Sequence, residues 1–126
     1  KRWNVLAQQI QVMPWVRYNK SGKAYFGKDT WNGYPYARER LIESIKKNAP
    51  HGNTVILSGD LHQYFAANIP SDLNDFKSPS IATEFLTTSI TSTGNGQPIR
   101  PGQEDVLKLN PRIKFINSTD IVPLTL

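Results

Sequence analysis

Asp60 and His62 directly follow an uninterrupted apolar run in the stretch TVILSGDLH, which covers residues 54–62. Such a run, closed by the turn residue Gly59, is typical of a strand buried on both faces of a sheet. Layered α/β proteins bind their ligands at the carboxyl ends of such strands. Residues i and i+2 of an extended chain point to the same side, so this carboxylate and imidazole would converge there. Together they would make half of a metal site.

The same two residues also have a plainer interpretation. Asp60 could cap a turn, and His62 could donate a hydrogen bond to a backbone carbonyl. From these nine residues alone, both interpretations stay open.

Length and composition predict a globular chain with one core. The chain has 126 residues, of which 38% are hydrophobic, and its mean hydropathy is −0.47. No apolar run approaches the length that spans a bilayer. Lysine and arginine exceed aspartate and glutamate by 15 − 10 = 5, which is compatible with anionic substrates, including phosphates and nucleic acid. The basic residues are scattered, however, so the pattern favours nucleic acid only weakly.

The cysteine content and the first residues of the chain bear on its processing. The sequence contains no cysteine, which excludes disulfides and thiolate zinc sites within this segment. It begins at Lys1 without an initiator methionine, and its first residues do not show the pattern of a signal peptide. We therefore expect this sequence to be a piece of a longer chain.

The pattern along the chain predicts one helix among several strands. Pro35 suits the first turn of a helix, and Ala37, Leu41, Ile42 and Ile45 form an apolar stripe at helical spacing. Strands are predicted at 3–12, 54–58, 63–69, the first half of 81–90, 113–117 and 122–126. Residues 103–109 are predicted to form one or two helical turns, and residues 70–79 and 91–102 are predicted to be loops. This order predicts part of a sandwich of sheets flanked by helices.

Five phrases in a fixed order resemble a known family. They are WNVLAQQ at 3–9, DTWNGYP at 29–35, LSGDLH at 57–62, ATEFLTTSI at 82–90 and NPRIKF at 110–115. Together they resemble the carboxy-terminal part of PhoD-like alkaline phosphatases, the alkaline phosphatase D group of metallophosphoesterases. The resemblance covers nearly the whole chain, from Trp3 to about Asn117.

The resemblance implies an α/β fold, a four-layer αββα sandwich with a metal cluster at the strand ends. This chain would hold mostly one sheet and a flanking helix, with 1–126 the carboxy-terminal part of a single domain whose amino-terminal part supplies the remaining ligands. The implied activity is hydrolysis of phosphomonoesters and phosphodiesters by a metal-activated water. Calcium and iron are the implied metals, Asp60 and His62 are the implied catalytic metal ligands, and the implied location is extracellular or periplasmic.

Two departures from the family pattern affect these expectations. The usual phrase is Trp-Asp-Gly-Tyr, whereas this chain has Trp31-Asn32-Gly33-Tyr34. An amide accepts a hydrogen bond but brings no charge, so the site would be altered if that position normally supplies one. The family ending commonly has a Gly-Tyr-Val phrase, whereas this chain has Asp120-Ile121-Val122.

Further candidates for substrate binding or support of the metal ligands are Trp31, Asn32, Tyr34, Arg38 and Glu84. Glu84 could orient the imidazole of His62. Trp31 and Tyr34 could line the substrate mouth or simply pack, and Arg38 could reach a phosphate or be a solvated helix residue. Gln8 and Gln9 could buttress the site, and the hydroxyls of residues 87–89 could donate to phosphate.

Two other classes of function remain as alternatives. The chain could be a catalytically inactive structural or interaction module of the same fold, which Asn32 would favour. It could also be a nucleic-acid-binding domain, which only the positive charge favours; in the enzymatic interpretation, nucleic acid enters only as a possible substrate.

Overall fold

The computed structural model describes residues 2–19, 21–88 and 103–117. The strands are β1 (Asn4–Ala7), β2 (Arg17–Tyr18), β3 (Ala24–Tyr25), β4 (Thr54–Ser58), β5 (Tyr64–Pro70), β6 (Ser80–Leu86) and β7 (Ile113–Asn117). The helices are a 3-10 helix (Trp31–Gly33), α1 (Pro35–Asn48) and α2 (Gln103–Leu109). The predicted loop at 91–102 and the predicted strand at 122–126 lie outside the described residues.

A mixed five-stranded sheet forms the centre of the structure, in the order β1-β4-β6-β5-β7. Strands β1, β4 and β6 are parallel, and β5 pairs antiparallel with both β6 and β7. Strands β2 and β3 form a separate antiparallel pair. The carboxyl ends of the three parallel strands therefore meet at one edge of the sheet, where β5 begins.

One face of this sheet carries the core. Ile56, Glu84 and Ala67 lie side by side in register across three strands, and all three are buried. Trp15 packs edge-on against Phe65, with ring centroids 5.7 Å apart. The buried apolar residues are Val12, Met13, Trp15, Ile42, Ile45, Ala49, Ile56, Phe65, Ala67, Ile69, Ala82, Leu86, Ile113 and Ile116. Helix α1 and the segment 12–15 thus contribute to the same core as the sheet.

The opposite face of the sheet is apolar and open within the described ranges. Leu57, Phe85 and Phe115 fall in one row across the sheet, with Ala66 between the two phenylalanines. They are 42%, 45% and 49% exposed. The prediction that β4 is buried on both faces is therefore wrong at Leu57, because no described element covers the side to which Leu57 points.

Helix α1 confirms the predicted helix. Pro35 occupies its first turn, and Ile42 and Ile45 of its apolar stripe are buried. Lys46 and Lys47 lie in the last turn, where positive charge interacts favourably with the helix dipole. No helix in the described part of the chain is long and apolar enough to cross a bilayer.

The opening strand is shorter than predicted. Strand β1 ends at Ala7 rather than near Val12, although Gln8 and Gln9 still form backbone hydrogen bonds with Leu57 and Gly59. The backbone N–H groups of Val12 and Met13 donate to the side chain of Glu84 instead of to a neighbouring strand. The strands predicted near 63–69, 81–86 and 113–117 are confirmed, as are the helical turns at 103–109.

Candidate active site at the carboxyl edge of the sheet

Asp60 and His62 lie in the connection between β4 and β5, directly beyond the carboxyl end of β4, and both are exposed. Their backbones are left-handed, with φ of 71° for Asp60 and 54° for His62. The expectation that they continue an extended chain is therefore wrong, because the strand stops at Ser58. For L residues this conformation costs about 1–2 kcal/mol each, and such conformations cluster at functional sites.

Backbone hydrogen bonds hold the ends of the three parallel strands together. The N–H of Gln8 donates to the carbonyl of Leu57 at 2.9 Å, and the N–H of Gly59 donates to the carbonyl of Gln9 at 3.2 Å. The N–H of Thr87 donates to the carbonyl of Ser58 at 3.0 Å. The residues that follow β1, β4 and β6 therefore form one continuous edge beside Asp60.

Asp60 and His62 are chemically suited to bind a cation, but these two ligands alone do not make a complete metal site. A carboxylate oxygen and an imidazole nitrogen are both suitable metal donors. Among the side chains that the structure describes, no group of three or more histidine, cysteine, aspartate or glutamate residues comes together to hold a metal. Further ligands would have to come from outside these residues.

Glu84 does not orient His62 through any contact seen in the described residues. Its carboxylate is fully buried and accepts hydrogen bonds from the N–H of Val12 at 2.8 Å, the N–H of Met13 at 2.7 Å and the hydroxyl of Ser58 at 2.6 Å. Burial raises the pKa of Glu84, and the three hydrogen bonds act in the opposite direction. The carboxylate thus contacts the residues behind the site.

Trp31 is attached to the segment that follows β1. Its indole Nε1–H donates to Oε1 of Gln8 at 2.9 Å, and its backbone N–H donates to the carbonyl of Gln11 at 3.2 Å. The ring is half-buried against the core. Trp31 therefore packs, and at the same time fixes the position of the Gln8 side chain.

Asn32 and Arg38 form a second contact in this region. Nη1 of Arg38 donates to Oδ1 of Asn32 at 2.6 Å, while Nε of Arg38 is buried without a hydrogen-bond partner in the described part of the chain. Burial lowers the pKa of Arg38. The guanidinium is thus partly desolvated, and Asn32 offers it an amide oxygen where the usual family phrase would offer a carboxylate.

The turn that carries these residues requires a glycine. A Cβ added at Gly33 would collide with the backbone carbonyl of Lys28. Tyr34 follows as the residue before α1 and is 62% exposed, so its ring is accessible from solvent.

Two buried amides that the sequence did not single out hold the segments behind the site. Nε2 of Gln11 donates to the carbonyl of Met13 at 2.6 Å. Oδ1 of Asn110 accepts from the N–H of Val16 at 2.8 Å, and its Nδ2 donates to the carbonyl of Val106 at 2.8 Å. For Asn110 the signal was present in the phrase NPRIKF, whereas nothing in the local sequence around Gln11 marked it.

The fold combines a mixed sheet with helices, and an Asp-x-His connection lies at the ends of the parallel strands. These features define an α/β protein with a candidate metal site at the edge of its sheet. The chain belongs to the PhoD-like phosphatase family, whose sequence model matches residues 1–123.

Two relatives support this assignment. The chain is 44% identical over 116 residues to alkaline phosphatase D of Bacillus subtilis (strain 168), in an alignment that covers 91% of this chain and 19% of that protein. A solved structure described as the structure of PhoD matches with a TM-score of 0.80 and 42% identity, covering 92% of this chain and 22% of the other. The match confirms the α/β fold, and this chain spans about a fifth of the length of either relative.

Proposed function

We propose that this chain is the carboxy-terminal part of a metal-dependent phosphoric ester hydrolase that acts on phosphomonoesters and phosphodiesters. Membership of the PhoD-like phosphatase family and the name of the Bacillus relative support hydrolysis of phosphate esters. The observation that carries the proposal is the placement of Asp60 and His62. Both are exposed at the edge where parallel strands end, in a backbone conformation that L residues adopt at a cost.

Asp60 and His62 are the residues that would hold a cation. The carboxylate of Asp60 is a hard oxygen donor suited to calcium or iron(III), and the imidazole of His62 favours a transition metal. A mixed calcium and iron cluster would therefore use both side chains. When bound, such cations lower the pKa of water and neutralise charge on phosphoryl oxygens.

The residues around the 3-10 helix would contact the ester. Arg38 carries a positive charge that the described residues do not neutralise, which suits an anionic phosphate. Tyr34 is exposed at the start of α1 and Trp31 is half-buried beside Gln8. We assign Arg38 and Asn32 to the polar side of the substrate mouth, and Trp31 and Tyr34 to its aromatic side.

The test compares the two histidines of the chain in the intact protein. His62→Ala should lower kcat/KM for p-nitrophenyl phosphate and its bis-ester by about a hundredfold or more, since even partners of metal ligands contribute 10- to 100-fold. His51→Ala is the control, because His51 is also exposed but precedes β4, at the other end of that strand. Chelation should abolish the activity of the wild type.

Equal activity of the wild type and His62→Ala would refute the assignment of His62. Absence of hydrolysis in the intact wild type would instead favour a catalytically inactive module of the same fold. Asn32, which brings no charge to its position, is the feature that would favour that alternative.

By family resemblance we also propose that the enzyme acts outside the cytoplasm.

A further inference from the structure

Glu84 is a buried carboxylate that holds two segments at once. It is 0% exposed, and the structure shows no ion pair between it and a lysine or arginine of the described residues. Its hydrogen-bond donors in the described residues are neutral groups. Oε1 accepts from Val12 N–H and Ser58 Oγ, and Oε2 accepts from Met13 N–H. Charge buried in this way is costly unless it is hydrogen-bonded, so the arrangement calls for an explanation.

The three donors belong to the two chain segments that reach the candidate site. Val12 and Met13 close the segment that begins with Gln8 after β1, and the same segment binds Gly59 and Trp31 through its backbone carbonyls. Ser58 is the last residue of β4 and directly precedes the connection that carries Asp60 and His62. Glu84 itself lies on β6, between β4 and β5 in the sheet. One carboxylate therefore links three of the elements that meet at this edge.

We propose that Glu84 is a positioning residue: through Ser58 and the backbone of Val12 and Met13 it fixes the two segments that set the places of Asp60, His62 and Trp31. This inference rests on the proposed hydrolase function and names a residue that acts on that site without touching it. Removing a group that is hydrogen-bonded directly to a metal ligand commonly costs 10- to 100-fold in affinity or activity. Glu84 acts through one further contact, so we expect an effect at the lower end of that range.

Glu84→Gln is the sharpest variant because it keeps the shape and removes the second acceptor. With the amide oxygen in the place of Oε1, the amide nitrogen faces the N–H of Met13, and two donors then meet without an acceptor between them. The other orientation places the nitrogen against Val12 N–H and Ser58. Either way the segment after β1 loses at least one of its two attachments to β6.

The experiment measures kcat and KM of the intact enzyme for bis-p-nitrophenyl phosphate, below the unfolding temperature of every variant. Glu84→Gln should lower kcat by about tenfold or more with KM changed less than about threefold. The controls are Ile45→Val and Ile69→Val, which lower stability from buried sites in α1 and β5 and should keep kcat within about twofold. Retention of kcat by Glu84→Gln within the range of these controls would overturn the inference.

Ser58→Ala answers the same question if Glu84→Gln does not fold. It removes only the hydroxyl donor and leaves both backbone hydrogen bonds of Glu84 in place. A severalfold loss of kcat supports the inference, and kcat within the range of the controls refutes it.

Amide hydrogen exchange separates this inference from the proposed function. Glu84→Gln should speed exchange in peptides covering 8–13 and 58–62 relative to the two isoleucine variants, whether or not the wild type hydrolyses esters. Faster exchange in an inactive protein would refute the function and keep the positioning role. Unchanged exchange at 58–62 in an active protein would refute the positioning role alone.

Discussion

At the scale of one residue, Glu84 is a carboxylate whose burial costs free energy in the fold. Its carboxylate is fully buried, and its partners in the described residues are neutral donors. Desolvation raises its pKa above the usual value of about 4.5, more than the hydrogen bonds from Ser58, Val12 and Met13 lower it. The folded state therefore binds the proton of Glu84 more tightly than the unfolded chain does.

The sign of the resulting pH dependence follows from this difference. Between the pKa of the unfolded chain and the raised pKa of the folded state, stability falls as the pH rises. The free energy of unfolding of the wild type minus that of Glu84→Gln should thus decrease as the pH rises from about 4.5, and then level off. Urea unfolding of both proteins across this range measures the difference. A difference that is constant or increases with pH would contradict the raised pKa.

Asn32 is a second residue whose side chain matters for electrostatics, because it is uncharged where the usual family phrase has a carboxylate. Its Oδ1 lies 2.6 Å from Nη1 of the half-buried Arg38. Asn32→Asp would place a carboxylate there and convert a hydrogen bond between a cation and a neutral amide into an ion pair. We expect a gain of about 1 kcal/mol in the free energy of unfolding, which should shrink in high salt.

A double-mutant cycle with Arg38→Gln isolates this pair. Asn32→Asp should lose its stabilising effect when the guanidinium is absent, since the gain comes from that one contact. An equal gain in the presence and absence of Arg38 would show that the two side chains do not interact as the structure indicates.

At the scale of elements, local patterns predicted strands β4 to β7 and helix α1 correctly. The apolar run 54–58 and the stripe that contains Ile42 and Ile45 depend on residues near one another in the chain, and both are confirmed. The end of β1 could not be predicted in this way. Beyond β1, the backbone N–H groups of Val12 and Met13 donate to Glu84, which lies 72 and 71 residues further along the chain, and no local pattern marks such a contact.

The same distinction applies to the candidate site, because local sequence predicts some of its features and not others. Its location after β4 could be predicted, because an apolar run that ends in Gly-Asp-x-His places those side chains at a sheet edge. The left-handed backbone of Asp60 and His62 could not, because an alternating pattern assumes that the chain stays extended. The partners of Glu84 also escaped prediction, because two of its three donors are backbone groups, which no side-chain pattern marks.

At the scale of the whole molecule, the open face of the sheet is the main feature. Leu57, Phe85 and Phe115 form an apolar row that the described residues leave uncovered. Exposed apolar faces of this kind mark surfaces that bind another layer. The sandwich that the family resemblance implies would supply a second sheet there, so we expect residues outside the described ranges to cover the row and to bring further ligands beside Asp60.

The central claim is that Asp60 and His62 bind a cation, and metal content tests it most directly. Elemental analysis of the intact protein after exhaustive dialysis should find bound metal in the wild type and in the control variant His51→Ala. Asp60→Asn and His62→Ala should each lose at least one ion per chain. Unchanged metal content in both of these variants, or a wild type without bound metal, would contradict the account.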